Sequence, residues 1–262
     1  MSLKALLLMC LVLPVHAAEP PAPPAPRRVE VLLNAQMAKL AKLGPLNAGF
    51  VVTPTRVVLL SSDTEMFTVG WGGIQPISGI VGMEMYAFAH DGNLLGIRKQ
   101  ELVYLDDAGA LAKLFTLPSL GMGIVRGVSK QMFLFERVAG GKSGLYELLP
   151  GRKIVKILES PGPIRAVTQA ADGRILFAVG GAIFEVAPGN KMRTVAVGGK
   201  PIRSLATNGS RIYASDGASV YSIEGDKLTL ITKETSGDIQ WFDGGLLIFD
   251  PKSPLLVRIT GL

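Results

Sequence analysis

Short runs of alternating apolar and polar residues, separated by turn residues, extend through most of the chain. Such runs predict β-strands, because successive side chains of a strand point to opposite faces of its sheet. Residue pairs typical of tight hairpin turns separate the runs: Asp91-Gly92, Asp172-Gly173, Asn208-Gly209, Asp216-Gly217 and Gly225-Asp226. The pattern excludes a solenoid of paired helices and predicts an all-β fold.

One strand pattern recurs six times: two apolar residues, any residue, and then another apolar residue. The copies are Met66–Val69, Leu102–Leu105, Leu145–Leu148, Ile183–Val186, Val220–Ile223 and Leu256–Ile259. Their second positions lie 36, 43, 38, 37 and 36 residues apart. A period of this length fits four short strands with their turns, which make one blade of a β-propeller. The sequence therefore predicts a six-bladed β-propeller.

The last blade of the predicted ring is incomplete. Residues 238–259 supply three strands, whereas the other units supply four. The N-terminal stretch 28–43 can provide the missing outer strand, which would close the ring by pairing the two ends of the domain. Residues 37–43 are also typical of a short helix, with Val29–Leu33 as the closing strand. Both assignments give six blades closed by an N-terminal strand.

The first 27 residues are typical of an exported protein. A basic Lys4, an apolar run and small residues at Val15 and Ala17 predict a signal peptide over residues 1–17. The apolar run is too short to span a bilayer. Residues 18–27 form a proline-rich linker, and residues 28–262 form the propeller domain. We therefore expect a periplasmic or secreted protein without a transmembrane segment; attachment of a lipid at Cys10 is a minor alternative.

The composition fits this domain and limits its chemistry. With 48% apolar and 18% charged residues, the chain can bury a large core. Cleavage after Ala17 leaves His90 and no cysteine, which excludes disulfides, thiol nucleophiles and metal sites built on paired histidines. His90 precedes the turn pair Asp91-Gly92, so it is interpreted as a turn residue, with a role as general base as the alternative. No catalytic residue is assigned.

Three arginines occupy similar places in successive units. They are Arg126 in Val125–Val128, Arg165 in Ile164–Val167 and Arg203 in Ile202–Leu205. We expect each at the start of an innermost strand, so that the three guanidinium groups meet at the mouth of the central channel. Such a cluster would bind an anion, since arginine binds carboxylates and phosphates through paired hydrogen bonds. The alternative is that each arginine pairs with a carboxylate of the adjacent blade.

The blade period and strand pattern over residues 28–262 resemble the six-bladed propellers of the NHL, TolB and gluconolactonase (SMP-30) kind. In the last of these, the resemblance implies a divalent metal held in the channel by a glutamate, two asparagines and an aspartate. No such set emerges here. Calcium could bind carboxylates, but each candidate is more typical of a turn or surface position: Glu84, Asp216, Asp238 and Asp243. We therefore assign no metal ligand and expect no cofactor.

Two functions remain open. The first is a non-enzymatic binding or scaffold module that holds a protein partner in an envelope or secretion assembly. The alternative is a metal-dependent hydrolase or lactonase of the gluconolactonase kind, with its site in the central channel. A net charge of +6 favours weak attraction to anionic envelope surfaces. Its basic residues are dispersed and lack interleaved aromatics, so nucleic acid is not an expected partner.

Overall fold

The chain folds as six antiparallel sheets of four strands each, which confirms the predicted all-β propeller. The computed structural model describes residues 26–262, apart from 48, 54–56, 63–64, 71–72, 78–82, 107–109, 129–130, 139–140, 151–152 and 234–236. The predicted signal peptide and most of the linker thus lie outside the described residues. No helix in the described part of the chain is long and apolar enough to cross a membrane.

The blades follow one another in chain order, and each begins with its innermost strand. The segment before blade 1 contains β1 (Arg28–Leu33) and α1 (Ala35–Leu40). Blade 1 contains β2 (Val51–Val52), β3 (Val58–Ser61), β4 (Met66–Gly70) and β5 (Gly73–Ile77). Blade 2 contains β6 (Met85–Phe88), β7 (Leu94–Arg98), β8 (Glu101–Leu105) and β9 (Leu111–Thr116). Blade 3 contains β10 (Met122–Arg126), β11 (Met132–Glu136), β12 (Ser143–Leu149) and β13 (Lys153–Ser160).

The second half repeats this arrangement with one exception, the source of its last strand. Blade 4 contains β14 (Ile164–Gln169), β15 (Ile175–Val179), β16 (Ala182–Ala187) and β17 (Lys191–Val197). Blade 5 contains β18 (Ser204–Thr207), β19 (Ile212–Ser215), β20 (Val220–Glu224) and β21 (Lys227–Thr232). Blade 6 contains β22 (Asp238–Phe242), β23 (Gly245–Asp250) and β24 (Leu255–Thr260), with β1 as its outer strand. All six copies of the recurring sequence pattern fall on the third strand of a blade.

The ring is closed by the two ends of the domain. Strand β1 pairs antiparallel with β24, from Arg28 opposite Thr260 to Leu33 opposite Leu256. Helix α1 follows, and the side chain of Asn34 caps it by accepting a hydrogen bond from the Met37 amide at 2.9 Å. The assignment of a closing strand followed by a short helix is therefore the correct one of the two.

The apolar core is divided among the contacts between blades. Six clusters of buried residues occur in the described part of the chain, and each joins two neighbouring blades. Leu60 of blade 1 and Phe249 of blade 6, for example, share one cluster, and neither side chain is exposed. Because both faces of each sheet bury apolar side chains, neighbouring blades hold the innermost strands in a fixed ring around a channel.

Candidate functional site

A central channel passes between the six innermost strands. Its cavity has a volume of about 670 Å³ and is lined by residues of β2, β6, β10, β14, β18 and β22. These strands run in the same direction, as two pairs of neighbours show. Near the beginnings of β18 and β22, the Ser204 hydroxyl accepts a hydrogen bond from the Ile239 amide at 3.0 Å. Near the ends of β10 and β14, the Gln169 side chain accepts from the Val128 amide at 2.8 Å.

The channel therefore has two chemically distinct ends. We call the end where the innermost strands begin the start end, and the end where they turn into the second strands the hairpin end. In each blade, the first and second strands form a hairpin, and the residue pair next to its turn marks equivalent positions. These pairs are Arg126 opposite Met132, Gln169 opposite Ile175, and Thr207 opposite Ile212. Residues equally distant from these pairs occupy equivalent places in the ring.

The predicted triplet of Arg126, Arg165 and Arg203 does not meet at one end of the channel. Arg165 and Arg203 lie four residues before Gln169 and Thr207, at the start end. Arg126 is itself the last residue of β10 and lies at the hairpin end. The three arginines line one cavity but do not converge, so the expectation of equivalent positions was wrong for Arg126. Its Nη2 atom is 2.9 Å from His90 Nδ1.

Charged residues occupy most of the true equivalents of Arg165. Reading four residues back from the end of each hairpin gives Glu84, Met122, Arg165, Arg203 and Asp238 in blades 2 to 6, whereas the corresponding residue 48 lies outside the described residues. Two acidic, two basic and one apolar side chain thus occupy these positions at the start end, and the two basic ones are neighbours. The Glu84 carboxylate also accepts a hydrogen bond from the Lys99 amide at 3.1 Å.

A further arginine reaches this ring from a second strand. Arg137 follows β11, and its amide donates to the Gly121 carbonyl at 3.1 Å, beside the beginning of β10. Its side chain lines the channel. Burial lowers the pKa of the Arg137 guanidinium; Asp238 and Glu84 oppose that shift, whereas Arg165 and Arg203 reinforce it. The other four charged groups therefore lie within electrostatic reach of Arg137.

The guanidinium groups of Arg137, Arg165 and Arg203 form no ion pair or side-chain hydrogen bond with any residue that the structure describes. The Nε atom of Arg137 is buried without a partner. Gly217 leaves the space that Arg203 occupies, since a Cβ atom there would lie 2.7 Å from the arginine Cδ. The alternative in which each arginine pairs with a carboxylate of the adjacent blade is thus not seen for Arg165 or Arg203 among the described residues, and Arg126 contacts His90.

Asp238 is the acidic member of the ring that faces the channel. Burial raises the pKa of its carboxyl group, and the guanidinium groups of Arg203 and Arg137 only partly oppose this. The Gly49 amide also donates a hydrogen bond to it. Arg203 and Asp238 precede Ser204 and Ile239, which are bonded to each other, so the two charged residues begin adjacent strands.

The hairpin end is built from polar groups that bond to one another. Gln169 is 4% exposed, and its side chain bonds the Val128 amide, the Gly173 carbonyl and the Gln131 side chain. Gln131 in turn donates to Glu147 at 3.0 Å, so this network joins blades 3 and 4. These side chains hold blades together.

His90 lies in the turn between β6 and β7, which agrees with the interpretation as a turn residue. Asp91 shapes the same turn, because its carboxylate accepts from the Asn93 amide at 3.0 Å. Since an arginine can only donate, His90 Nδ1 accepts the hydrogen bond from Arg126. The ring is thus held in one tautomer by a structural contact.

The described residues do not fit the divalent metal that the resemblance implied. They contain no group of three or more His, Cys, Asp or Glu side chains that could hold a metal ion. Asp216 accepts from the amides of Ala218 and Ser219 and from the Tyr221 hydroxyl. Asp243 lies at the opposite end of blade 6 from Asp238. Glu84 and Asp238 share the start end, but the three arginines outnumber them there, and the Asp216 carboxylate is already bonded within its own turn.

No family model and no curated protein matches the chain. Among solved structures, a gluconolactonase from Xanthomonas campestris is 12% identical, with a TM-score of 0.70 over 90% of each chain. The virginiamycin B lyase from Staphylococcus aureus is 9% identical, with a TM-score of 0.64 over 90% of this chain and 99% of that one.

A third neighbour comes from a larger protein. It is the extracellular domain described as part of a hybrid two-component system from B. thetaiotaomicron, and it is 12% identical. Its TM-score is 0.60 over 90% of this chain and 40% of that one. Enzymes and an extracellular domain thus share one architecture at low identity, and this shows the fold alone. The chain is a six-bladed β-propeller that is similar in fold to a gluconolactonase and to a virginiamycin B lyase.

Proposed function

We propose that the mature protein is an exported, non-enzymatic binding propeller that holds a protein partner by an acidic group at the start end of its channel. One observation carries the proposal: the three guanidinium groups of Arg137, Arg165 and Arg203 face a single cavity without any ion pair among the described residues. They are held by a rigid ring, so a bound anion would cost little ordering of the protein.

Arginine suits this role for two physical reasons. Its guanidinium stays charged at every physiological pH, and it presents parallel N–H donors that match the two oxygens of a carboxylate. Burial of Arg137 reduces competition from water, which strengthens its interaction with an incoming anion. A cationic cavity at one face of the ring therefore supplies both affinity and orientation for an acidic group.

Export is supported by the sequence. Residues 1–17 have the basic start, apolar run and small residues of a signal peptide, and residues 18–27 have the composition of an extended spacer. The extracellular domain among the structural neighbours is compatible with such a location. We propose the periplasm as the compartment, to be tested by fractionation of cells that express the full chain.

The proposed anion site is tested with paired arginine variants. We expect Arg165→Gln with Arg203→Gln to lower the affinity for sulfate by at least tenfold, measured by calorimetry, because two ligating cations are removed. Arg126→Gln is the matched control, since it removes a channel arginine at the other end. The proposal is wrong if the double variant binds sulfate like the wild type, or if it only lowers the melting temperature.

The partner is tested with the same variants. The full exported protein is cross-linked in its native envelope, and captured proteins are identified. We expect capture that is lost in the Arg165→Gln, Arg203→Gln variant and kept in Arg126→Gln. A captured protein that is retained equally by all three would contradict a role for the arginines in partner binding.

The second candidate is a metal-dependent lactonase, which the gluconolactonase neighbours favour. It requires a stoichiometric divalent cation and turnover of a sugar lactone. Metal analysis of the purified protein, thermal shifts on addition of calcium, and a gluconolactone hydrolysis assay distinguish it from the binding module. Bound metal together with hydrolysis would establish the lactonase in place of the binding proposal.

A further inference from the structure

The charges at the start end are unequal. Three guanidinium groups, from Arg137, Arg165 and Arg203, face two carboxylates, from Glu84 and Asp238. With both carboxylates ionised, the ring carries one excess positive charge, which matches a monoanion. If one carboxylate were neutral, the excess would be two, which matches a group that bears two negative charges.

The two carboxylates differ in how firmly they are held in the ionised form. Glu84 does not line the cavity, and its carboxylate accepts a hydrogen bond from the Lys99 amide. Asp238 lines the cavity beside Arg203, at the beginning of the adjacent strand. It thus competes with any incoming anion for the same guanidinium groups, and it is the carboxylate that an anion would approach.

We propose that the start end binds a dianionic group and that Asp238 takes up one proton as the group binds. This inference rests on the proposed function, and it specifies the charge of the ligand and the regulation of the same site. With Asp238 neutral, the three guanidinium groups and the Glu84 carboxylate carry a net charge of +2, which balances the two negative charges of the ligand. A monoanion such as acetate would instead bind the ionised ring without proton uptake.

The surroundings of Asp238 favour this coupling. Burial already raises the pKa of its carboxyl group, against the opposing effects of Arg203 and Arg137. The Gly49 amide faces it from the segment before β2. Glu84 and Arg165 complete the charged groups across the channel. A bound dianion would draw the guanidinium groups to itself and add negative charge beside Asp238, and both effects favour its protonated form.

Linkage gives the expected size of the effect. Where Asp238 is ionised in the free protein and neutral in the complex, affinity for a dianion rises up to tenfold for each unit of pH decrease. Below the pKa of Asp238 in the free protein, the affinity becomes independent of pH. Asp238→Asn, which is neutral at all pH values, should bind the dianion more tightly at pH 7 and without this pH dependence.

Sulfate is the appropriate probe because it stays doubly charged across the working range of pH. Its binding to the full mature protein is measured by calorimetry at pH 7 in two buffers that differ in ionisation enthalpy, which reports the protons taken up. We expect uptake approaching one proton per sulfate for the wild type and none for Asp238→Asn. Asp91→Asn, in an exposed turn at the hairpin end, is the matched control and should behave like the wild type.

The outcomes separate this inference from the proposed function. Sulfate binding by the wild type without proton uptake would overturn the inference and leave the anion site in place, as would uptake that persists in Asp238→Asn. Absence of sulfate binding, or equal binding by the Arg165→Gln, Arg203→Gln variant, would overturn both. Because the wild-type measurement alone can overturn the inference, the test remains decisive even where a variant fails to fold.

A second probe distinguishes the source of the dianion. A short peptide with adjacent glutamates presents two carboxylates on a chain, whereas sulfate presents one small oxyanion. Tighter binding of the peptide, with the same proton uptake, would assign the site to acidic side chains of a protein partner. Tighter binding of sulfate would assign it to a small free oxyanion. If neither the peptide nor sulfate causes proton uptake on binding, the inference is overturned.

Discussion

The two ends of the channel are built from the same six strands but use their polar side chains in opposite ways. At the hairpin end, Gln169 and Gln131 bond to each other and to the neighbouring blade. At the start end, the guanidinium groups of Arg137, Arg165 and Arg203 form no hydrogen bond or ion pair with any described residue. Polar groups of a buried ring therefore stabilise the fold where they are paired, and remain available to a ligand where they are not. Four substitutions test this contrast.

The largest effect is expected at the paired end. Gln169→Ala would leave the buried Val128 amide without its acceptor and would remove the bond to Gln131. We expect a loss of about 2 to 3 kcal/mol in the free energy of unfolding. The melting temperature should then fall by roughly 5 to 10 °C. Thermal denaturation of the purified domain measures this.

The matched control is another glutamine that lines the same channel. Gln240 lies on β22, and its side chain makes no hydrogen bond within the described residues. Gln240→Ala should change the free energy of unfolding by less than about 0.5 kcal/mol. Equal destabilisation by the two variants would show that pairing is not what distinguishes the hairpin end.

At the start end, where the arginines are unpaired, we expect a substitution to stabilise the protein rather than destabilise it. Arg137→Met would replace a half-buried arginine, whose buried Nε atom lacks a partner, with an apolar side chain of similar length. We expect stabilisation by about 1 kcal/mol together with weaker sulfate binding, since desolvation of the charge is relieved and a ligating group is lost. Arg165→Met, at an exposed position, is the control and should leave the stability within about 0.5 kcal/mol.

Higher stability together with weaker sulfate binding would show that Arg137 contributes to binding at a cost in stability. Destabilisation by Arg137→Met would instead show that the guanidinium is already paired in the native protein. Urea denaturation and sulfate calorimetry on the same preparation distinguish the two outcomes. Urea is preferred to a guanidinium salt, because guanidinium would compete for anions.

A smaller effect on stability is expected from substitution of Asp238 at the start end. Because burial raises the pKa of Asp238 above its ordinary value of 3.8, its favourable contribution to stability is complete below that pH and is lost as pH rises through the native value. Asp238→Asn should therefore raise the melting temperature at pH 7 by about 1 to 2 °C in an anion-poor buffer.

The difference in melting temperature between Asp238→Asn and the wild type should disappear as the pH falls. At pH 4 and below, the wild type regains the contribution, so the two melting curves should approach each other. A variant that is less stable than the wild type at pH 7 would show that the ionised carboxylate is stabilised by its arginine neighbours rather than destabilised by burial. Asp91→Asn, in an exposed turn, should show neither change.

The smallest effect is expected for the exposed pair at the hairpin end. His90→Ala would remove the acceptor that Arg126 uses at 2.9 Å. Exposed polar pairs contribute little, so the free energy of unfolding should change by less than about 0.5 kcal/mol, with sulfate affinity unchanged. A tenfold loss of sulfate affinity would show that this end also takes part in anion binding.

The sequence predicted the ring well because its repeat is carried by apolar spacing. The recurring motif lies on the third strand of every blade, where its side chains pack between sheets. The closing strand was also predicted, since the last blade lacked one strand, and the short helix after it was one of two assignments that the sequence left open. Burial of alternating side chains constrains sequence strongly, so such features can be read without a structure.

The site was predicted only in part, because the repeating units were aligned by a short stretch of similar sequence. Val125–Val128 resembles Ile164–Val167, yet β10 ends at Arg126 whereas β14 begins at Ile164. Aligning the units on their turns would have paired Arg165 with Glu84 and Asp238. Arg137 had no such signal, because it reaches the channel from the end of a second strand. Charged positions follow the geometry of the ring rather than any apolar period.

The closure of the ring also has a mechanical consequence. Because Arg28 lies opposite Thr260 in an antiparallel pair, the two ends of the domain emerge side by side. A force that pulls those ends apart loads the hydrogen-bonded pairs between β1 and β24 one after another, as a zipper opens, rather than all at once. The propeller should therefore yield first at this seam, and blades 1 to 5 should keep their own sheets while blade 6 loses its outer strand.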